Sequence, residues 1–331
     1  MSKSKYTEPD QNIVVALAKG VFELPSTFIK INKDPAYSRH TLYAKWEITL
    51  LKTFIKNLHY KQLLFFSPNK SIKSQLKSTK SKHGSGLNNY GKELEGFPNA
   101  VWLAEKPGRE PEDPVIIFYH GGGYLFQFRS DTHLVYLVNL AKKLPSHSIL
   151  IVDYPLSSHP APLNYNLDLW SYLFKEENLQ NVITMGDSAG GHLILSSLAS
   201  LKLTTSSMQL PKLFKHVLIS PWIDLSSIAP PGENHDILDH DRSYGWGEIF
   251  SHNNEPIDVA NADYGGLLDE HNTLVTVGEL EMLRAGIEIF ANRYNLPILL
   301  ESQGVHDQIT MEKFLGYKEG DIFDSIVDFC N

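Results

Sequence analysis

Gly186-Asp187-Ser188-Ala189-Gly190 sets a serine among small residues, where the apolar run Val182 to Met185 gives way to a helical stretch from Ala189 to Leu201. A serine on a tight strand-to-helix turn is thrust clear of the backbone, and the flanking glycines let neighbouring chain pass close by. The bare G-x-S-x-G pattern recurs by chance too often to carry weight. Its placement is what makes Ser188 an expected nucleophile in acyl transfer, rather than a chemically silent glycine turn. Gly186, Asp187 and Gly190 are read as shaping the turn.

His120-Gly121-Gly122-Gly123 follows a second apolar run, Val115 to Tyr119. Consecutive glycines leave N–H groups free to point at a developing oxyanion with no side chain in the way. Gly122 and Gly123, joined by the N–H of Ala189, are therefore the expected oxyanion donors, with His120 and Gly121 holding the loop. A phosphate cradle is the other use for such a loop, but neither G-x-x-x-x-G-K-[ST] nor G-x-G-x-x-G occurs.

A serine nucleophile needs a base and an orienting acid, which follow an elbow of this kind in the order acid, then histidine. Glu281, in Gly278-Glu279-Leu280-Glu281, lies just past the run Leu274 to Val277. His306, in Gly304-Val305-His306-Asp307, follows the run Ile298 to Leu300. Glu279 is the rival acid and Asp307 a weaker one. Among 14 histidines position must decide; His192, one turn past Ser188, is read as a packing residue. His235, Asp236, Asp239, His240, Asp241 and His252 gather ligand-type side chains without a repeated metal-ligand spacing, and read as a solvated loop. No metal or organic cofactor is expected.

These loops need a scaffold that brings strand ends together. After Pro114, short apolar runs at Val115 to Tyr119, Ser148 to Val152, Val182 to Met185, Val217 to Ser220, Leu274 to Val277 and Ile298 to Leu300 alternate with amphipathic stretches. Strands alternating with helices predict right-handed crossovers and a mostly parallel sheet covered on both faces, an α/β fold with its site outside the strands' carboxyl ends. Before it, apolar residues recur at helical spacing from Asn12 to Phe28 and Pro35 to Phe66, with Tyr43, Trp46, Leu50, Phe54 and Leu58 near one face. The expected organisation is helices in 1–66, a mobile connection and leading edge strands in 67–113, and a catalytic core in 114–331. Residues 226–266, rich in Pro, Gly, Asp, His and Asn, break the rhythm as an irregular insertion.

The 331 residues, 42% hydrophobic, suffice for a large core and exclude wholesale disorder. The single cysteine, Cys330, forms no intrachain disulfide, which suits a reducing compartment. No window of 18 apolar residues predicts a membrane span. The chain is basic in front and acidic behind, and from Ile48 to Lys92 it holds nine lysines and no acid. A solvated lysine face is the plain reading; attraction to an anionic membrane is the sharper one. Nucleic acid is not expected, since no recognition motif accompanies the lysines.

Taken together, these residues resemble the hormone-sensitive-lipase-like branch of the α/β-hydrolases. His120-Gly121-Gly122-Gly123-Tyr124 and Gly186-Asp187-Ser188-Ala189-Gly190-Gly191-His192 resemble its two signature blocks. Tyr154-Pro155-Leu156 with His159-Pro160, Ser220-Pro221-Trp222-Ile223-Asp224-Leu225 and Glu279-Leu280-Glu281-Met282-Leu283-Arg284 are similar to three further stretches. Glutamate stands at 281 where the family more often has aspartate, and Met282 where it has proline. The resemblance implies an α/β-hydrolase with a cap made from 1–66 and 226–266, acting as a serine esterase with Ser188, His306 and Glu281 in the triad. It is looser toward fungal enzymes that deacetylate sterol acetates, and implies short-acyl esters of apolar alcohols as substrates. Tyr43, Trp46, Tyr124 and Trp222 are the expected cavity residues, and the expected location is intracellular, cytoplasmic or peripheral to an internal membrane. An amidase or formamidase on the same triad, or a non-catalytic receptor on the same fold, are the rival readings.

Overall fold

A computed structural model describes residues 6–157, 162–203, 208–226 and 234–331. His159, Pro160 and part of the 226–266 insertion lie outside the described residues.

Eight strands form one sheet: β1 (Glu93–Leu94), β2 (Phe97–Ala104), β3 (Val115–Tyr119), β4 (Ser148–Val152), β5 (Asn181–Asp187), β6 (Leu213–Ile219), β7 (Thr273–Gly278) and β8 (Ile298–Glu301). Their order is β1-β2-β4-β3-β5-β6-β7-β8, antiparallel at β1/β2 and β2/β4 and parallel elsewhere. Val115, Ile116, Ile117, Phe118 and Tyr119 are all buried, as a strand covered on both faces requires. This is the mostly parallel α/β sheet that the alternating pattern predicted and the arrangement that the α/β-hydrolase resemblance implied, and the six expected strands all form.

Because β3 pairs with β4 on one side and β5 on the other, the sheet grows in both directions from it. Ligands gather at such a switch point. The register pairs Tyr119 with Gly186, which sets the loop after β3 beside the turn after β5. Likewise Gly278 pairs with Glu301, so the loops after β7 and β8 emerge together.

The two faces bury separate cores. On one lie α6 (Pro162–Lys175), α7 (Ala189–Leu203) and α9 (Arg284–Arg293), supplying Leu169, Trp170, Leu195 and Phe290. On the other lie α4 (Ile72–His83), α5 (His133–Lys143) and α11 (Asp321–Cys330), supplying Leu76, Leu137 and Ile326. Gly190 lets α7 approach β3: a Cβ there would stand 2.0 Å from the Tyr119 carbonyl oxygen. The N-terminal helices α1 (Ile13–Lys33), α2 (Leu42–Asn57) and α3 (Tyr60–Phe66) follow the helical spacing of the sequence. Ile31, Ala44 and Ile48 join Ile237, Val305 and Leu315 in a third cluster, which ties these helices to the segment beside His306.

Two segments differ from expectation. The stretch read as a mobile connection contains α4, where Ile72, Gln75 and Leu76 are buried and Lys73, Lys77 and Lys80 face outward. Two apolar residues among twelve left almost no amphipathic signal, yet the Gln75 amide donates to the Phe128 carbonyl at 2.6 Å and anchors the helix. The insertion read as irregular contains α8 (His240–Asn253), whose N-cap Asp239 accepts from the Arg242 N–H. Its glycines hid it, but a Cβ at Gly247 would strike the Leu225 carbonyl at 2.0 Å, so close packing demands them. The short α10 (Gln308–Met311) begins two residues after His306. Among the described residues no helix is long and apolar enough to cross a membrane.

Candidate active site

Ser188 has φ +49, a left-handed conformation that costs a non-glycine residue on the order of 1 kcal/mol or more and recurs at functional turns. The surrounding chain holds it there. Its N–H donates to the Ile219 carbonyl at 2.9 Å, and its carbonyl accepts from Trp222 at 3.0 Å and His192 at 3.1 Å.

The Ser188 Oγ lies 3.0 Å from His306 Nε2, and His306 Nδ1 lies 3.1 Å from Glu281 Oε2. All three side chains are buried. Glu281 Oε1 accepts from Ser220 Oγ at 2.5 Å and from the Gly278 N–H at 2.6 Å, so the carboxylate cannot rotate away from the ring. An imidazole Nδ1–H donating to Glu281 leaves the Nε2 lone pair for the serine hydroxyl. Glu279, the rival acid, is exposed and instead accepts from the Gln303 N–H at 2.8 Å.

Burial pushes the Glu281 carboxyl up, with His306 pulling it back. Burial alone would lower the His306 imidazolium, but Asp307 and Glu281 outweigh it and hold it well above the ordinary histidine range. Asp307 therefore has a place in the site, through Nε2 rather than Nδ1, with its Oδ2 at 3.1 Å.

Gly122 and Gly123 both have positive φ, and among the described residues no acceptor takes their N–H groups or that of Ala189. His120 is fully buried, stacked on Tyr154 at 4.4 Å, and its carbonyl accepts from the Tyr154 hydroxyl at 2.5 Å. Burial depresses it to about 4, so it stays neutral and braces the loop. Gly121 passes so close to Asp187 that a Cβ would lie 2.3 Å from Oδ2, whose other contact is His133 Nε2 at 3.1 Å. His192 packs as expected, its Nδ1 2.7 Å from the Tyr124 hydroxyl.

Ser188, His306, Gly122 and Gly123 open onto a cavity of about 820 Å³. Leu17 of α1, Leu51, Phe54 and Ile55 of α2 and Phe66 of α3 form its apolar wall, with Trp222 and Trp246 opposite. Of the four expected cavity residues, Trp222 lines this cavity and Tyr43, Trp46 and Tyr124 do not. Tyr43 and Trp46 sit at the start of α2, 53% and 41% exposed, against Gly316 and Phe28; only the later turns of the helix reach the cavity. Tyr124 is buried under Phe250, with ring centroids 4.0 Å apart, and belongs to the core.

Asp236 was read as part of a solvated loop and is fully buried instead. It accepts from the His306 N–H at 2.8 Å, the Ile237 N–H at 2.7 Å and the Met282 N–H at 3.0 Å, clamping the base loop to the acid loop. Nothing in the local pattern distinguished it from Asp239 or Asp241, which cap or flank α8. Among the described residues no group of His, Cys, Asp and Glu could hold a metal.

The sheet, its switch point and these strand-end loops define an α/β-hydrolase. Solved structures share the fold. An esterase from the bacterial hormone-sensitive lipase family superposes with a TM-score of 0.62 at 20% identity, over 94% of this chain and 96% of that one. The esterase E40, crystallised as a double mutant, gives 0.63 at 22% identity over 90% and 97%. A family model described as steryl acetyl hydrolase matches residues 48–308, and the chain belongs to that family. It is a carboxylic ester hydrolase. The Schizosaccharomyces pombe protein mug81, itself named only provisionally as a steryl acetyl hydrolase, is 27% identical over 83% of this chain and 82% of its own length. Steryl acetyl hydrolase 1 of Saccharomyces cerevisiae is 26% identical over 59% of this chain and 54% of its own.

Proposed function

We propose that the enzyme hydrolyses acetyl-like esters of lipophilic alcohols, steryl acetates among them, through a Ser188, His306 and Glu281 triad. The observation that carries the reading is the apolar cavity of about 820 Å³ that opens onto the Ser188 hydroxyl. A site of that size and lining favours a bulky apolar alcohol by the area it removes from water.

In this mechanism His306 Nε2 takes the proton of Ser188 as Oγ attacks the acyl carbon. The N–H groups of Gly122, Gly123 and Ala189 stabilise the oxyanion, and the imidazolium then protonates the departing alkoxide. Water, activated by the same histidine, releases the acid from the acyl-enzyme. Residues 1–66 and 226–266 act as a cap over a 114–331 core, joined through 67–113, and choose the alcohol. The test is an acyl-length series of chromogenic esters beside a steryl acetate, with matched amides as the contrast. Amide turnover comparable to ester turnover would replace the esterase reading with an amidase.

Ile55→Trp should fill part of the cavity and lower kcat/KM for a steryl acetate about tenfold or more, while a small chromogenic acetate changes by about twofold or less. Equal loss on both would remove the selecting role of α2.

Delivery of such substrates suits peripheral contact with an anionic internal membrane. Phe22 of α1 and Phe65 and Phe66 of α3 are 88%, 74% and 54% exposed, and Phe66 also lines the cavity. Lys70, Lys73 and Lys77 follow directly. At about 1 kcal/mol per lysine, reversing all three should weaken binding to anionic vesicles at low salt by at least about a hundredfold. Unchanged binding would leave the lysines as a solvated face.

A further inference from the structure

His306 has a carboxylate at each end. Glu281 at Nδ1 is the expected orienting acid; Asp307 at Nε2 has no part in the triad scheme. Its Oδ2 stands 3.1 Å from the nitrogen that also faces Ser188 Oγ at 3.0 Å, so two groups compete for one ring position. Asp307 is itself held in a left-handed turn, φ +54, with a side chain 14% exposed toward the cavity. Its Oδ1 finds no hydrogen-bond partner among the described residues. A buried carboxylate oxygen left unsatisfied beside the base is costly, and a strained turn that keeps it there suggests a use.

We infer that Asp307 is a further catalytic residue that shares the Nε2 proton of His306 with Ser188 and sets the pH at which the imidazole becomes a base. The inference rests on the triad reading. When Ser188 attacks, its Oγ–H bond breaks, the Oγ–acyl carbon bond forms and the proton passes to Nε2. Asp307 Oδ2 then accepts from that Nε2–H, stabilising the imidazolium until the proton leaves with the alkoxide as the acyl carbon–oxygen bond breaks. The same contact stabilises the imidazolium in the resting enzyme, where it blocks base catalysis. Asp307 thus supports the transition state at the cost of a higher working pH.

The other charged groups facing this pair are Asp187 from β5, His133 from α5, Glu281 from the loop after β7, Asp236 from the insertion and Glu301 from β8, with Arg129 and Asp131 on the same cavity wall. Most are acids. They oppose ionisation of Asp307 in the same direction as its burial, which raises it. The contact with His306 is what draws its negative charge out.

The sign follows directly. Removing a negative charge beside an imidazolium destabilises the charged ring, so Asp307→Asn should lower the pH at which His306 loses its proton. Asn suits the left-handed turn and keeps the side chain's shape. The acid limb of the kcat/KM profile should therefore move down by about one to three pH units, while the plateau falls. A merely structural residue would lower the plateau and leave the limb in place. As a second measurement, the rate of phosphonylation of Ser188 by an organophosphonate, followed against pH, reads the same limb without needing turnover.

An unmoved limb in both measurements overturns the role of Asp307, even with Ser188 fully labelled. Failure of the wild-type enzyme to label at Ser188 overturns the triad and this inference together. A limb displaced in Asp307→Asn, with the exposed Asp324→Asn of α11 unchanged, supports it.

Discussion

Replacing Ser188 with alanine should abolish ester hydrolysis, lowering turnover by on the order of a million-fold while leaving the fold intact. The size of the effect follows from what would remain. Without Oγ no acyl-enzyme forms, and the oxyanion donors and cavity can assist only direct attack by water on the intact ester, which forgoes covalent catalysis. Folding should survive, because the bonds that hold the elbow run through the backbone of residue 188: its N–H to Ile219 and its carbonyl to Trp222 and His192. Alanine would occupy the left-handed position that serine already holds at a similar cost, so the strain is common to both proteins and little change in stability is the expected side effect. Turnover measured beside a thermal melt checks both halves. Pure variant protein that keeps a tenth of wild-type activity would sink the assignment of Ser188.

How much of this could be read in the sequence depends on whether the signal was local. The strands were legible because a chain covered on both faces must be continuously apolar, as Val115 to Tyr119 is. The elbow and the glycine loop were legible because close approach forbids side chains, at Gly190 against Tyr119 and at Gly121 against Asp187. Glu281 could be preferred to Glu279 only by position; the Ser220 and Gly278 donors that hold it come from residues far apart or unremarkable in sequence. Asp236 and α4 were hidden for related reasons. A buried carboxylate that accepts only from backbone N–H groups leaves no pattern in residue types, and α4 is held by few contacts on one narrow face. The aromatic residues of α2 misled in another way. Periodicity gives the face of a helix but not which of its turns pass over a cavity, so Phe54 of that face lines it while Tyr43 and Trp46, the residues singled out, do not. The contact of Asp307 with His306 was equally out of reach, since adjacency in sequence does not say which way a side chain turns.

The choice between the two glutamates yields the second large effect. Glu281→Gln should lower kcat about ten-thousand-fold, and Glu279→Gln by about twofold or less. A glutamine at 281 keeps the shape of the side chain but must decide which end carries its NH2. The Gly278 N–H, 2.6 Å from Oε1, can only donate, so the amide oxygen has to face it. The NH2 is then turned to His306 Nδ1, 3.1 Å from the present Oε2. Two donors cannot share that contact, and the ring would adopt the tautomer with its proton on Nε2. In that form Nε2 has no lone pair for the Ser188 hydroxyl, and Asp307 Oδ2, 3.1 Å away, would accept a hydrogen bond from the misplaced Nε2–H and hold the ring in that tautomer. The defect is therefore one of proton placement rather than of packing, and it should appear in kcat with little change in thermal stability. Among the described residues the Glu279 carboxylate meets only the Gln303 N–H and Ser302 Oγ at the surface, where an amide oxygen accepts as well. If Glu281→Gln kept more than about a tenth of the wild-type kcat, Glu281 would not be fixing the imidazole tautomer, and Asp307 would have to be considered as the acid of an alternative pair.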